Sequence, residues 1–105
     1  MNILITGGNG YIAGRLAKYL SLNPKKYSLT VGSRDISKNF QKLDNVQYIN
    51  TVWDCAQSLK DICKNQDVVI HLAGLNAKAC AVDPQKALAF NYDKSKALMD
   101  AAVSM

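Results

Sequence analysis

Two short stretches of this sequence are apolar at almost every position and rich in β-branched residues. Ile3–Thr6 is the first and runs directly into glycines, and Asp67–Leu72 contains the second. Strands that are buried on both faces form continuous apolar runs, whereas a strand with one solvated face alternates apolar and polar residues. Both stretches are therefore predicted as buried strands of a parallel sheet, and the second is not an amphipathic edge hairpin.

Helical periodicity begins soon after the first of these strands. From Tyr11 onwards, apolar residues recur at the spacing of one helix face, and Asn23-Pro24 ends the pattern. The residues that form this predicted face are Ile12, Leu16, Tyr19 and Leu20.

Two more strands and a helix are predicted before the second apolar stretch. Tyr27–Val31 is typical of a strand ended by Gly32, and Val46–Ile49 is typical of a third strand. Residues 35–45 are polar and compatible with a short helical turn. Ser58 is predicted as the N-cap of the next helix. The apolar stripe of that helix consists of Leu59, Ile62 and Cys63.

The last predicted helix begins at Asp83-Pro84, where an N-cap oxygen precedes a proline at the first helical position. We expect it to be the longest element of the chain. Its predicted face follows a helical period through Leu88, Asn91, Leu98, Ala101 and Ala102.

A glycine-rich turn joins the first strand to the first helix. Within it, Gly8-x-Gly10-x-x-Ala13 fits the pattern of a dinucleotide-binding turn, with alanine in the last place. Glycines let the main chain turn sharply and approach a pyrophosphate, and the helix N-terminus offers free N–H groups. The alternative is a plain turn between strand and helix. The predicted cofactor-binding residues of this turn are Gly7, Gly8, Asn9, Gly10, Tyr11 and Ile12.

The alternation of strands and helices implies right-handed crossovers and a parallel sheet. Together with the glycine turn, it predicts an α/β, Rossmann-like fold over residues 1–105. We expect about four strands in the order 3-2-1-4 with flanking helices, and an incomplete second half.

The residues after the second strand bear on the choice of cofactor. Ser33 and Arg34 stand where a nucleotide-binding fold contacts the adenosine ribose, and an arginine there suits the 2′-phosphate of NADP. Asp35 is the counter-argument, because an acid in that place suits the 2′-OH of NAD. The sequence therefore favours NADP over NAD, with a surface-loop role for Arg34 as the alternative.

Three segments together resemble the N-terminal part of the extended short-chain dehydrogenase/reductases, which are nucleotide-sugar epimerases, dehydratases and reductases. They are Thr6–Ile12, Val68–Gly74 and the helix that carries Asn91 and Ala97–Ala102. The resemblance covers essentially the whole chain but only about the first third of such a protein. Alanine at position 13, followed by Gly14, departs from the glycine that the family usually has.

The resemblance implies a role for several residues. It places Gly7, Gly10 and Ile12 along the cofactor diphosphate, and Asp54 at the adenine amino group. It implies that the segment after the fourth strand runs under the ribose and nicotinamide. That segment consists of Leu72, Ala73 and Gly74. Asn91 matches a helix asparagine that supports the family's catalytic lysine.

The family's catalytic Ser or Thr and its Tyr-x-x-x-Lys belong to a later strand and helix, which this chain lacks. Tyr92 and Lys96 reproduce the spacing, but they directly follow Asn91, and a surface-helix role is favoured for them. His71, the single histidine, is predicted to be a packed, hydrogen-bonded core residue rather than a general base.

Charge and cysteine content restrict the remaining classes. The chain carries 13 Lys and Arg against 8 acidic residues, a net charge of +5, but the lysines are spread along it and favour a solvated surface over a nucleic-acid interface. No apolar run approaches the ~20 residues of a membrane helix. An odd number of cysteines without a Cys-x-x-Cys pair favours a reducing, cytoplasmic compartment and no zinc site. The cysteines are Cys55, Cys63 and Cys80.

The sequence thus favours the NAD(P)-binding portion of a nucleotide-sugar epimerase, dehydratase or reductase, inactive by itself. A non-catalytic NAD(P)-binding sensor of the same fold is the alternative, and a basic nucleic-acid-binding domain is a weaker one. The free side of the fourth strand and the apolar stripe of the last helix predict a homodimer formed through either.

Overall fold

The computed structural model describes residues 1–34, 36, 42–73 and 81–105. Gly74, Asp35 and Cys80 lie outside these residues, as does most of the polar stretch 35–45. The strands are β1 (Asn2–Thr6), β2 (Ser28–Ser33), β3 (Val46–Asn50) and β4 (Val68–His71). The helices are α1 (Tyr11–Ser21), α2 (Ala56–Cys63), α3 (Pro84–Leu88) and α4 (Ser95–Ser104), with a π-helical segment, Ala89–Lys94, between the last two.

The four strands form one parallel sheet in the order β3-β2-β1-β4, which confirms the predicted Rossmann-like architecture. Strand β1 is buried on both faces, as its sequence predicts. Ile3 and Ile5 pack with α1 on one face, and Leu4 packs with α2 and α4 on the other. Helix α1 therefore covers one face of the sheet, and α2 and α4 cover the other.

Strand β4 has the edge position that the order 3-2-1-4 predicts, but it is less buried than its apolar sequence predicts. In the described part of the chain it pairs only with β1 and lies at the edge of the sheet. Val68 is 38% exposed, and Val69 to His71 are half-buried. An apolar run marks a strand that can be buried on both faces, but it does not by itself supply the neighbour that would bury it.

Strand β2 continues through Gly32 to Ser33, so the prediction that Gly32 ends this strand is wrong. Gly32 pairs with Ile49, and a Cβ at Gly32 would lie 2.6 Å from the Thr51 hydroxyl oxygen. A glycine in a strand often marks such a close approach rather than a strand end.

Helix α1 presents a different face from the predicted one. Ala13 and Ala17 are buried against the sheet, whereas Ile12 and Tyr19 are 66% and 72% exposed. Leu16 and Leu20 pack against the same core as predicted. Small residues let the helix approach the sheet closely, and a search for large apolar residues overlooks them.

Helix α2 begins earlier than predicted, at Ala56, and Ser58 lies inside it. The N-cap is Cys55, whose sulfur accepts a hydrogen bond from the Ser58 main-chain N–H at 3.4 Å. The predicted stripe is confirmed at its centre, because Leu59 and Cys63 are buried.

The last predicted helix forms, and the Asp83 carboxylate accepts from the Lys86 N–H at 3.1 Å as expected of an N-cap. Its face is shifted by one residue in the first half. Leu88, predicted inside, is 63% exposed, while Ala87 is buried and Phe90 packs against the core. The π-helical segment accounts for this shift, because its wider turn changes the register between the two halves of the helix.

Among the described residues, no helix is long and apolar enough to cross a membrane.

Candidate functional site

A cavity of about 500 Å³ opens at the carboxyl ends of the strands. In an open parallel sheet this edge is where ligands bind, next to the point at which the strand order reverses. Here the order reverses between β1 and β4. The described residues that line the cavity are Gly7, Asn9, Gly10, Ser33, Arg34, Thr51, Trp53, Leu72, Ala73 and Phe90.

Gly7 is the tightest point of the cavity wall. Its φ is +73°, a conformation that side chains disfavour. A Cβ at Gly7 would lie 2.7 Å from the Ala73 nitrogen and from the Leu72 carbonyl carbon. The main chain after β1 therefore touches the main chain after β4, and only glycine allows that contact.

The two other glycines of the turn have different contacts. The Gly10 N–H donates to the Gly7 carbonyl at 2.9 Å, which closes the turn beside the cavity. The Gly8 N–H donates to the Gly32 carbonyl at 2.9 Å, and a Cβ at Gly8 would lie 2.4 Å from the Val31 side chain. Gly8 thus packs the turn against β2 and is not among the described lining residues.

Helix α1 begins at this turn and directs its N-terminus toward the glycines. Gly10 is the N-cap residue and has no side chain that could accept from the first N–H groups, and the first turn contains no acidic residue. The positive end of the helix dipole is therefore not neutralised by an acid of its own first turn. This arrangement is typical of a site for a phosphate or another anion.

Ser33 and Arg34 lie at the end of β2, as predicted, and both line the cavity. Ser33 is buried, and its carbonyl accepts from the Thr51 N–H at 2.7 Å. The Arg34 guanidinium lies over the Phe90 ring, with its carbon 5.2 Å from the ring centre. Stacking of this kind restricts a long side chain that is otherwise exposed.

Three lining residues were missed by the sequence analysis: Thr51, Trp53 and Phe90. Thr51 directly follows β3, and its hydroxyl is buried without a hydrogen-bond partner among the described residues. The rings of Trp53 and Phe90 meet edge to face at 5.7 Å between centres. Position after a predicted parallel strand could have indicated Thr51 and Trp53, whereas Phe90 depends on the π-helical register.

The structure does not bring every predicted residue to the cavity. The Asp54 side chain is 90% exposed, forms an ion pair with Lys94 and is not among the described lining residues, so its adenine contact stays a prediction. Tyr11 is 76% exposed, and its hydroxyl accepts from the Arg15 guanidinium. Ile12 is 66% exposed. Asn91 is exposed in the π-helical segment, and its carbonyl accepts from the Ser95 hydroxyl.

Tyr92 and Lys96 also lie away from the described lining of the cavity. Tyr92 is 61% exposed. The Lys96 ammonium donates to the Asp100 carboxylate at 3.0 Å, and this hydrogen bond raises the pKa of Lys96. The Lys96 charge is thus paired with Asp100 on the exposed side of α4, away from the cavity.

Among the described ranges, no three His, Cys, Asp or Glu side chains cluster as they would around a metal ion. Cys63 is buried in the core, and burial raises the pKa of its thiol. A raised pKa disfavours the reactive thiolate.

His71 ends β4 and is hydrogen-bonded through both ring nitrogens. Nδ1 lies 2.7 Å from the Thr6 hydroxyl oxygen, and Nε2 lies 2.8 Å from the Ser95 hydroxyl oxygen. The ring is half-buried beside Trp53, with 5.5 Å between ring centres. This burial lowers the pKa of His71 below its ordinary value of 6.5.

The lowered pKa predicts how stability depends on pH. Below pH 6.5 the unfolded chain binds a proton at His71 that the folded chain resists, so the free energy of unfolding should decrease as the pH falls from 6.5 toward the folded-state pKa. Above pH 6.5 the neutral His71 ring makes its full contribution to the free energy of unfolding. Urea denaturation between pH 5 and 8 measures it, and His71→Asn should remove this part of the pH dependence. An unchanged pH dependence in that variant would contradict the prediction.

Comparison with known proteins defines the class of this fold and site. A model of the NAD dependent epimerase/dehydratase family matches residues 3–105. The chain therefore belongs to the NAD dependent epimerase/dehydratase family. A search of curated proteins finds no match.

Solved structures show the same fold. UDP-glucose 4-epimerase from Thermotoga maritima superposes with a TM-score of 0.84 and 23% identity, over 99% of this chain and 34% of that one. L-threonine dehydrogenase from Clostridium difficile gives 0.84 and 21%, over 98% and 33%. MoeE5, solved with UDP-glucuronic acid and NAD, gives 0.82 and 23%, over 99% and 33%. The chain thus spans about a third of the length of these proteins.

Proposed function

We propose that residues 1–105 form the NAD(P)-binding portion of an extended short-chain dehydrogenase/reductase that acts on a nucleotide sugar. The observation that carries this proposal is the cavity at the sheet edge. There, the Gly7 turn touches the Leu72–Ala73 main chain at the N-terminus of α1. A Cβ-free wall beside a helix N-terminus suits a dinucleotide diphosphate.

The residues present fit such a cofactor along its whole length. Gly7, Asn9 and Gly10 would hold the diphosphate, in the space that a Cβ at Gly7 would close. Leu72 and Ala73 would lie along the nicotinamide half. The adenosine half would meet the opposite wall, formed by Ser33, Arg34, Thr51 and Trp53.

A bound nicotinamide supplies hydride transfer. The residues of this chain bind and orient the cofactor, and the apolar Leu72, Trp53 and Phe90 side chains exclude water from one side of it. Among the described residues we assign no catalytic residue, because Tyr92 and Lys96 lie off the cavity lining and the ring nitrogens of His71 are engaged. Catalysis and choice of sugar would belong to the part of the enzyme that the relatives carry beyond the matched third.

The nucleotide-sugar assignment draws on the family and on two of its structural neighbours. The T. maritima epimerase was solved with UDP-glucose, and MoeE5 with UDP-glucuronic acid and NAD. The threonine dehydrogenase shares the same fold, so the shape of residues 1–105 alone fits more than one substrate class.

Cofactor titration tests the proposed function directly. Trp53 is the single tryptophan of the chain and lines the cavity, so its emission reports on binding there. We expect saturable quenching by NADH or NADPH, with energy transfer to the reduced nicotinamide and competition by ADP-ribose. Calorimetry provides the control for optical artefacts. The absence of both saturable quenching and binding heat would contradict the proposal.

The finer proposal concerns NADP. Arg34 is held over Phe90 at the cavity wall beside Ser33, and no described carboxylate pairs with its guanidinium. A planar guanidinium in that place can bind a 2′-phosphate through two hydrogen bonds. NADP is therefore the preferred cofactor under this proposal.

A further inference from the structure

The Thr6 hydroxyl connects the end of β1 to the end of β4 and to the main chain that follows β4. Thr6 ends β1 and is fully buried at 0% exposure. Its oxygen lies 3.1 Å from the Leu72 nitrogen and 3.2 Å from the Ala73 nitrogen, both of which donate to it. The same oxygen lies 2.7 Å from His71 Nδ1. Thr6 thus fixes the main chain that forms one wall of the cavity.

These contacts determine which nitrogen of His71 carries the proton. A hydroxyl oxygen accepts two hydrogen bonds and donates one. The N–H groups of Leu72 and Ala73 occupy both acceptor positions of Thr6, so its hydroxyl must donate to His71 Nδ1. Nδ1 is therefore unprotonated, and the neutral ring carries its proton on Nε2.

The remaining bonds follow in sequence. Nε2–H donates to the Ser95 oxygen at 2.8 Å, and the Ser95 hydroxyl donates to the Asn91 carbonyl at 2.6 Å. The hydrogen bonds of this series therefore all run in one direction, from the Thr6 hydroxyl through His71 and Ser95 to the Asn91 carbonyl. It connects the wall after β4, through the ring, to the helix that contributes Phe90.

We propose that His71 is a positioning residue for cofactor binding, which in its neutral Nε2–H form orients the Thr6 hydroxyl and so holds Leu72–Ala73 against the Gly7 turn. This inference rests on the proposed NAD(P) site. An imidazolium has no acceptor for the Thr6 hydroxyl, and its Nδ1–H would compete with the two N–H groups for the same oxygen. Protonation should therefore loosen the wall and weaken cofactor binding.

The charged groups on the packed elements do not offset this effect. Strand β1 contains no ionisable side chain. Lys94, beside Ser95, and Asp54, beside Trp53, are paired with each other. Asp67, just before β4, accepts from the Asn2 N–H at the far end of the strand. Burial is accordingly the cause of the lowered pKa of His71.

Two variants of the 105-residue chain test the two ring nitrogens of His71 separately. Asparagine places its amide oxygen near the position of Nδ1, so His71→Asn keeps an acceptor for Thr6 but loses Ser95. Glutamine reaches the position of Nε2, so His71→Gln keeps the Ser95 contact but leaves the Thr6 hydroxyl without an acceptor. Neither side chain titrates, and both remove the same tilted ring contact with Trp53.

NADPH and NADH titrations at pH 7.5 and 5.5 provide the first readout. We expect His71→Asn to bind within about twofold of the wild-type chain at pH 7.5, and His71→Gln to bind about tenfold more weakly, as for the loss of one oriented hydrogen bond. NADH has no 2′-phosphate that titrates in this range, so its binding decides the pH test. Binding of NADH by the wild-type chain should weaken at pH 5.5, and binding of NADH by His71→Asn should not. Equal affinities for the two variants, or a pH dependence that persists in His71→Asn, would overturn the proposal.

A second readout requires no cofactor. Amide hydrogen exchange at Leu72 and Ala73 should be slow in the wild-type and His71→Asn chains and faster in His71→Gln. The ring ¹⁵N resonances should show a proton on Nε2 at pH 7.5. A proton on Nδ1, or equal exchange in both variants, would refute the positioning role even if cofactor binds. If no cofactor binds but exchange and tautomer agree, the proposed function fails, and with it the cofactor role of His71, while the hydrogen-bond chain itself stands.

Discussion

Replacing Gly7 by alanine is expected to weaken NAD(P) binding strongly and to destabilise the fold. The left-handed backbone at φ +73° costs an alanine about 1–2 kcal/mol. The new Cβ would also lie 2.7 Å from the main chain of Leu72 and Ala73, so either the glycine turn or the segment after β4 would have to move. We expect at least a roughly tenfold loss of affinity, the equivalent of ~1.4 kcal/mol, measured by Trp53 fluorescence and calorimetry.

Gly14→Ala is the matched control, because it adds the same methyl group in the same loop–helix unit. Gly14 lies inside α1, and a Cβ there would meet nothing within 4 Å. An alanine in a helix interior should raise the free energy of unfolding by up to about 1 kcal/mol and leave cofactor affinity unchanged. Equal affinity of the Gly7→Ala and wild-type chains, with Gly7→Ala still folded, would show that the cofactor does not bind at this wall.

Arg34→Asp is expected to reverse the choice of cofactor. The guanidinium that we assign to the 2′-phosphate of NADPH is replaced by a carboxylate, which repels that phosphate and accepts from the 2′-OH of NADH. A charge-assisted hydrogen bond contributes about 1.5–3 kcal/mol, and the exposure of Arg34 reduces this, so we expect NADPH affinity to fall about tenfold. Parallel titrations with NADPH and NADH give the affinity ratio.

The other arginine of the chain offers a charge-matched comparison. Arg15 lies on α1, where it donates to the Tyr11 hydroxyl and does not line the cavity. Arg15→Asp makes the same change in net charge, so any general electrostatic effect on the more anionic cofactor appears there as well. A wild-type chain that binds NADH as tightly as NADPH, or an unchanged ratio in Arg34→Asp, would refute the assignment of Arg34.

The strand order and the place of the cavity could be predicted because they depend on short-range patterns. A continuous apolar strand followed by glycines and a helix leaves few topologies, and the carboxyl edge of a parallel sheet fixes where the turn must lie. The burial of β4 could not be predicted in the same way. Its residues are apolar enough for an interior strand, but burial depends on a neighbour that the pattern does not specify.

Some residues that line the cavity were easier to predict than others. The Gly7 turn and the Ser33–Arg34 pair are local features of strand ends, and the structure places them together. Thr51 and Trp53 could not be predicted from the family resemblance, which implies a role only for Asp54 in this stretch. Phe90 depends on a helical irregularity that an average period of 3.6 residues cannot express.

The π-helical segment sets the direction in which the last part of the chain presents Phe90 to the cavity. In a regular α-helix, Phe90 and Leu98 would differ by about 80° around the axis, since each residue turns it by ~100°. The π-helical segment absorbs one residue and brings both side chains to the same core. A regular α-helix over the same residues would therefore turn Phe90 away from the cavity and from Arg34 while Leu98 stays in the core. Deleting one residue between Phe90 and Ser95 would instead restore a regular α-helix and leave Phe90 and Leu98 on the same face. The π-helical turn thus sets which side chain of the last helix reaches the cavity.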